Sequence, residues 1–324
     1  MVRLDSLLGL ARGLLPACVG TVPATLPGGL GRFPPCLSWL GVEVRLDDDA
    51  TVDLAASVDG RGAGRLVLAA SEVQLRADLP AQWGATLAAI GDWAAARDPG
   101  LAAVQELWFE VDAGGELRPP IVFFTVVGAL PDGVDALLDA AVLPRLGAPP
   151  EALERLRTAR AGWTSDVRVH HLASLAPRGR GGLRVVASAP TDALMATLRG
   201  LGWADDTAVL DALLAALGDW TGRVSFDLDL DADAPRRLGI EWHLLASPRT
   251  DPRWQRALAA AQELAGARPE KVEAAREWAE DITLGERVTI HRYMHLKFVV
   301  RPDVPLTSKA YLGLAPRLHA DGPS

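Results

Sequence analysis

Apolar and polar residues alternate along several segments of this chain of 324 residues. Near its C-terminus, Leu296 and Phe298 alternate with His295 and Lys297. Alternation with a period of two is typical of a β-strand that packs one face against a core. The pattern therefore predicts strands with one apolar and one polar face, and it recurs at residues 107–112, 223–230 and 238–245.

Segments with helical periodicity, with Asp, Pro or Thr near their starts, separate pairs of these strands. The helices predicted are residues 5–15, 81–95, 133–146, 150–160, 191–201, 205–217, 252–265 and 269–279. The strands predicted are residues 42–46, 52–58, 65–70, 107–112, 121–127, 167–175, 183–187, 223–230, 238–245, 288–300 and 309–314. The order is about five units of two helices and two strands, although the first unit has one clear helix and three competing strands.

The unit of a helix pair followed by a hairpin occurs twice, and the same tripeptide ends a helix in each copy. Gly91-Asp92-Trp93 ends a helix before one strand, and Gly218-Asp219-Trp220 ends a helix before a similar strand. A repeat at this scale indicates architecture rather than chemistry. The predicted division is a Pro/Gly-rich segment with one helix at 1–40, one barrel-like domain at 41–318 with a repeat at about 81–190 and 205–318, and a tail at 319–324.

Antiparallel hairpins separated by helix pairs argue against a parallel doubly wound sheet, and no Gly-x-Gly-x-x-Gly turn favours one. About ten two-faced strands can close into a barrel, because closure removes exposed edges and leaves a lumen for the polar faces. The predicted fold class is α+β: a ten-stranded antiparallel β-barrel with a polar lumen, surrounded by helices.

Composition narrows the possible partners. The formal net charge is −8 and no basic tract is present, so binding of nucleic acid by bulk charge is not expected. The chain lacks an apolar run of 18 residues and a clear signal peptide, and its only cysteines are Cys18 and Cys36. We therefore expect a cytoplasmic protein that has no membrane partner.

The five units around a ten-stranded barrel resemble the ABBA prenyltransferases, also called the PT-barrel family, over about residues 40–318. The segments His295-Leu296-Lys297-Phe298 and Lys309-Ala310-Tyr311-Leu312 resemble the Lys and Lys-x-Tyr strands that hold the diphosphate in that family. The resemblance implies transfer of a prenyl group from an allylic diphosphate to an aromatic small molecule or a peptide side chain inside the barrel. It implies no cofactor, or Mg²⁺ together with the prenyl diphosphate.

Binding of a diphosphate requires several convergent cations. Candidates on the polar strand faces are Arg45, Arg65, Arg184, Lys297 and Lys309, with His170, His291, His295 and Tyr311 as further donors. The alternative for these three arginines, and also for Lys297 and Lys309, is that they lie on solvated strand faces.

The acceptor requires a base, for which Glu110, Glu241 and His295 are candidates; the alternative for both glutamates is an ion pair with a lumen Arg or Lys. Aromatic rings that could shield an allylic cation are few on the polar faces. The predicted substrate-binding residues are Arg45, Arg184, Lys297, Lys309, Tyr293, Tyr311, Trp108 and His243.

The polar faces also carry many acids. Asp227 and Asp229 are weak candidates for Mg²⁺ ligands, and the alternative is an acidic strand end in water. A second predicted function requires the barrel but no prenyl diphosphate. In it, the protein binds a ribosomally made peptide, or matures it by promoting cyclisation with His291 or His295 as the base. Binding of a prenyl diphosphate distinguishes the two functions.

Overall fold

The computed structural model describes residues 4–16, 19–20, 22, 38–60, 63–97, 99–112, 118–126, 131–203, 208–218, 222–231, 237–244, 247–278, 280–284, 288–302 and 304–318. The tail predicted at 319–324 and most of the segment predicted at 1–40 lie outside these residues. Cys18, Cys36 and Trp220 lie outside them as well.

The described strands form one antiparallel sheet that closes on itself. The strands are β1 (Trp39–Arg45), β2 (Val52–Asp59), β3 (Val104–Val111), β4 (Ile121–Val126), β5 (Arg168–Ser174), β6 (Gly182–Pro190), β7 (Arg223–Asp231), β8 (Leu238–His243), β9 (Ile282–Leu284), β10 (Val288–Arg301) and β11 (Val304–Leu318). Strands β1 to β8 pair in chain order, β8 pairs with β10, β10 with β11, and β11 with β1. The predicted ten-stranded barrel is thus confirmed, and the short β9 adds to one end of β10.

Helices precede each hairpin, as expected for repeated units. They are α1 (Leu4–Leu14), α2 (Ala63–Asp78), α3 (Gly84–Ala94), α4 (Pro131–Asp139), α5 (Val142–Arg145), α6 (Pro150–Ala161), α7 (Leu194–Gly200), α8 (Ala208–Leu217), α9 (Pro252–Ala265) and α10 (Pro269–Glu277). The single helix predicted at 133–146 is divided into α4 and α5. Of the described helices, none is long and apolar enough to cross a bilayer.

The strand predicted at 65–70 is wrong, because these residues begin helix α2. A short apolar run does not distinguish a strand from a helix. Within helix α2, Leu68 and Leu75 are buried, whereas Leu66 points to solvent and is 73% exposed. Arg65 therefore lies outside the lumen: its guanidinium is 5.0 Å from the ring centre of Trp93.

The core lies between the barrel wall and the helices. The apolar strand faces, with residues such as Phe226 and Phe298, point outward and are fully buried with Trp83, Trp93 and Trp254 from the helical layer. Burial of each large apolar side chain stabilises the fold by about 1.5–3 kcal/mol. Because side chains alternate along a strand, this outward packing directs the polar faces into the lumen.

Candidate active site in the barrel lumen

Among the residues that the structure describes, one group lines a cavity at one end of the barrel lumen and another lines a cavity at the other end. Residues near the start of β1, β3 and β10 line one cavity, and residues near the ends of the same strands line the other. The first, which we call the aromatic cavity, has a volume of about 750 Å³ and includes Trp39, Trp108, Phe123, His171, Glu241, His243, Tyr293, His295, Lys297 and Tyr311. The second, the arginine cavity, has a volume of about 470 Å³ and is lined by Arg45, Arg118, Arg178, Arg180, Arg184, Arg237, Arg301, Lys309 and the carboxylates of Asp53, Glu110 and Asp112.

Indole and imidazole rings form one wall of the aromatic cavity. The ring centres of Trp39 and Trp108 are 4.6 Å apart, and those of Trp108 and His171 are 6.2 Å apart. Burial lowers the pKa of His171 to about 4, so its ring is neutral at neutral pH. Thr125 Oγ1 lies 2.9 Å from His171 Nδ1 and orients the ring.

Trp39 was not predicted as a cavity residue, although it begins the alternation that continues through β1. Its indole lies against the barrel wall over Gly41 and Gly313, which are paired across β1 and β11. A Cβ atom at either glycine would overlap the indole. These two glycines therefore allow Trp39 to lie where it contacts Trp108.

A column of three rings forms another part of the wall, with one ring from each of β8, β10 and β11. The ring centres of His243 and His295 are 4.5 Å apart, and those of His295 and Tyr311 are 4.2 Å apart and nearly parallel. Burial, with a smaller contribution from His243, holds the pKa of His295 well below its ordinary value. Such a depressed pKa makes His295 a weak proton acceptor. Because histidine and tryptophan rings line the aromatic cavity together with two tyrosines, its aromatic surface is larger than the tyrosines alone would provide.

Glu241 and His243 form a carboxylate–imidazole pair at this wall. His243 Nε2 lies 3.0 Å from Glu241 Oε2, and Lys297 Nζ lies 3.1 Å from Glu241 Oε1. Burial by itself would raise the pKa of Glu241, but Lys297 and the hydrogen bond with His243 outweigh it and hold the pKa well below the ordinary value. Glu241 is therefore ionised at neutral pH.

A layer of ion pairs separates the two cavities. Lys297 Nζ lies 2.8 Å from Asp227 Oδ1 as well as contacting Glu241, and Lys309 pairs with Glu43. Arg184 is held by Asp229, with Nε–Oδ1 at 2.6 Å. Glu241 is thus paired with a lumen lysine, which is the alternative that the sequence offered to its role as a base.

Glu110 is likewise paired with lumen cations, and it lines both cavities. Its carboxylate is 2.9 Å from Arg178 and 3.3 Å from Arg184. Burial would raise its pKa, but Arg178, Arg184, Lys297 and Lys309 lower it far below the ordinary value. Glu110 therefore stays ionised.

Gly239 makes the central ion pair possible. It is paired with Asp227 on β7, and a Cβ atom at this position would overlap both the Asp227 carboxylate and Lys297 Cε. The missing side chain lets Asp227 reach across β8 to Lys297 on β10.

The interpretation of Asp227 and Asp229 as an acidic strand end in water is wrong, since both side chains are fully buried. Asp227 pairs with Lys297 and Arg237, and Asp229 pairs with Arg184. Across the described ranges, no group of three or more His, Cys, Asp or Glu side chains is placed to hold a metal ion. These carboxylates do not fit Mg²⁺, because the ligand oxygens are already bound by cations.

The structure divides the predicted diphosphate residues between the two cavities. Lys297 and Tyr311 line the aromatic cavity, with Nζ 5.7 Å from the Tyr311 ring centre, whereas Arg45, Arg184 and Lys309 line the arginine cavity. The alternation within strands did not predict five further arginines of the arginine cavity. Four of them lie outside the regular strands, namely Arg118, Arg178, Arg180 and Arg237, and Arg301 ends β10.

Of the remaining predicted residues, Tyr293 lines the aromatic cavity, whereas His170 and His291 are not among its lining residues. Tyr293 is 43% exposed, and His291 Nδ1 lies 2.6 Å from Asp281. His170 Nε2 lies 2.9 Å from Ser188 Oγ. A β-bulge between Val169 and His171 interrupts the alternation of β5 at this point.

Comparison with solved structures identifies the architecture. The prenyltransferase PriB in its apo form matches with a TM-score of 0.53 at 15% sequence identity, over 97% of this chain and 96% of PriB. A 6-dimethylallyl tryptophan synthase matches with a TM-score of 0.52 at 14% identity, over 97% of each chain. No protein-family model matches the sequence, and no curated protein matches it significantly. The chain therefore has the fold of the PT-barrel prenyltransferases.

Proposed function

We propose that the protein transfers an allylic prenyl group from a prenyl diphosphate to an electron-rich aromatic acceptor in the aromatic cavity. The observation that carries this proposal is a ring-lined cavity of about 750 Å³ inside a barrel of this fold. The names of the two structural neighbours, a prenyltransferase and a dimethylallyl tryptophan synthase, favour the same reaction.

The proposed reaction needs stabilisation of positive charge on carbon. The C–O bond of the donor breaks and its electron pair leaves with the diphosphate. The faces of Trp39 and Trp108 then stabilise the allylic cation while the cavity excludes water. An acceptor carbon attacks the cation, and loss of a proton restores the aromatic ring.

His243 is the proposed proton acceptor, with Glu241 as its partner. If Nε2–H donates to the ionised Glu241, the neutral ring presents Nδ1 as an acceptor. The imidazolium formed by proton transfer is stabilised by the same carboxylate. Glu241 then acts on the acceptor through His243, while Glu110, paired with two arginines, keeps the lumen charge balanced.

Lys297 and Tyr311 are the proposed diphosphate ligands at the floor of the aromatic cavity. The donor must compete with Asp227 and Glu241 for Lys297.

Calorimetry with dimethylallyl, geranyl and farnesyl diphosphates, with and without Mg²⁺, tests donor binding. Mass spectrometry after incubation with indoles and phenols then tests transfer. Arg199→Ala on the exposed face of α7 is a matched control for Lys297→Gln, because each removes one positive charge. Equal donor binding by these two variants would argue against the assigned diphosphate site.

A second candidate is a barrel that binds or matures a peptide without a prenyl donor. The pairing of Lys297, Lys309 and Arg184 with carboxylates favours it, because these cations are already neutralised. In this function an aromatic side chain of the peptide occupies the aromatic cavity. Absence of donor binding, combined with a mass change on a co-expressed peptide, would select this candidate.

A further inference from the structure

Two carboxylates of the aromatic cavity lie directly opposite each other on the lumen face of the barrel. Asp59, at the end of β2, is paired with Glu106 on β3, and both side chains line the cavity. We propose that these carboxylates bind a protonated amino group, so that the acceptor in this cavity is an aromatic compound that carries an amine close to its ring. This inference rests on the proposed function, because it takes the aromatic cavity as the acceptor site.

The pairing of Asp59 with Glu106 is unfavourable by itself. Like charges that are directly opposite on neighbouring strands destabilise a sheet. Burial raises the pKa of Glu106 and the charge of Asp59 raises it as well, while the partners that lower it, Ser57 and Trp108, are neutral hydrogen-bond donors. A positively charged ligand would relieve this repulsion and restore the charge that burial disfavours.

The lining of the aromatic cavity as a whole is negative. Among the described residues, it contains the carboxylates of Asp59, Glu106, Glu110 and Glu241 and one lysine, Lys297. Glu110 and Glu241 already have cationic partners, so Glu106 is the carboxylate that a cationic ligand can neutralise. A concave surface with one sign of charge concentrates ligands of the opposite charge. The cavity should therefore select an amine over a carboxylate on the acceptor.

The strand register places the carboxylates one row away from the indole rings. Trp39 and Trp108 are both paired with Ser57, which lies two residues before Asp59 in β2. Two residues along a strand correspond to about 6.5–7 Å. A short aminoalkyl chain on the acceptor spans this distance, so the ring can pack against the indoles while the amine reaches Glu106.

A hydrogen bond holds the Glu106 carboxylate in position. Trp108 Nε1 donates to Glu106 Oε2 at 2.7 Å. A carboxylate accepts several hydrogen bonds, so this contact leaves lone pairs for an ammonium group. Because the side chain is already ordered, binding costs little further side-chain entropy.

The next two side chains of this row leave its negative charge in place. Thr125 on β4 is paired with Glu106, and His171 on β5 is paired with Thr125. Burial lowers the pKa of His171 to about 4, so its ring carries no positive charge at neutral pH. Neither side chain therefore competes with the amine of a ligand.

Calorimetry with tryptamine and N-acetyltryptamine tests the proposal. Both compounds carry the same indole, but the amine of tryptamine is protonated at neutral pH and the acetylated nitrogen is neutral. We expect the wild type to bind tryptamine about tenfold or more tightly than N-acetyltryptamine. Glu106→Gln should weaken tryptamine binding by about the same factor and leave N-acetyltryptamine binding unchanged, because glutamine still accepts from Trp108 Nε1.

Glu151→Gln is the matched control, since it removes one negative charge from the exposed first turn of α6. This variant should bind both compounds as the wild type does. Absence of tryptamine binding, equal affinity of the wild type for the two compounds, or an equal loss of both affinities in Glu106→Gln would overturn the proposal. A loss of tryptamine affinity in Glu151→Gln equal to that in Glu106→Gln would overturn it too, because the effect would then come from net charge.

Urea denaturation checks the repulsion on which the site depends. Glu106→Gln should be at least as stable as the wild type, because it removes one of two opposed like charges. Lower stability of this variant would contradict that repulsion. The titrations contain no prenyl diphosphate, so a failure of donor binding or of prenyl transfer would count against the proposed function and leave the amine result intact.

Discussion

Replacement of Lys297 by Met should destabilise the fold strongly. Lys297 is 5% exposed and Asp227 is fully buried, so solvent screens their interaction little. The methionine leaves Asp227 and Glu241 with one cation fewer between them. Removal of one partner of a buried ion pair costs about 3–5 kcal/mol, and we expect the lower end because Arg237 still contacts Asp227.

Urea denaturation of a double-mutant cycle measures this effect. The variants are Lys297→Met, Asp227→Asn and the two combined, and the combined loss should fall short of the sum of the single losses by at least about 1 kcal/mol. The control Arg276→Met breaks an exposed pair with Glu273 and should cost less than about 1 kcal/mol. A loss below that level for Lys297→Met, or strict additivity, would refute the reasoning.

Three other changes test the cavity walls. Gly313→Ala should displace the Trp39 indole, which should change the tryptophan fluorescence and weaken binding of an aromatic ligand. The control Gly84→Ala, where a Cβ atom meets no neighbour, should have none of these effects. His171, with a folded pKa of about 4 against an ordinary 6.5, takes up protons more readily when unfolded, so stability should fall as the pH drops from about 6.5 to 4. His171→Gln should make the loss measured by thermal melting over that pH range shallower; an unchanged slope would contradict the assignment. If the protein transfers prenyl groups, His243→Asn should lower single-turnover product formation about a hundredfold or more with donor affinity kept, and a parallel loss of donor affinity would instead indicate a structural role.

The sequence by itself determined the architecture. The period of two in segments such as 288–300 and the helix pairs before each hairpin are local patterns, and outward packing of the apolar faces leaves the lumen as the place for the polar faces. The prediction was wrong at Arg65, where a short apolar run is compatible with both strand and helix. Polar residues on the strand faces, including Lys297, Glu241 and Tyr311, were likewise identifiable as lumen candidates.

Only the tertiary structure decided how those residues combine. Lys297 and Lys309 are directly paired on β10 and β11, yet they line different cavities and have different carboxylate partners. The reach of Asp227 past Gly239 and the position of Trp39 over Gly313 depend on strand register and barrel closure. These contacts join residues that are distant along the chain, so alternation within one strand carries no information about them.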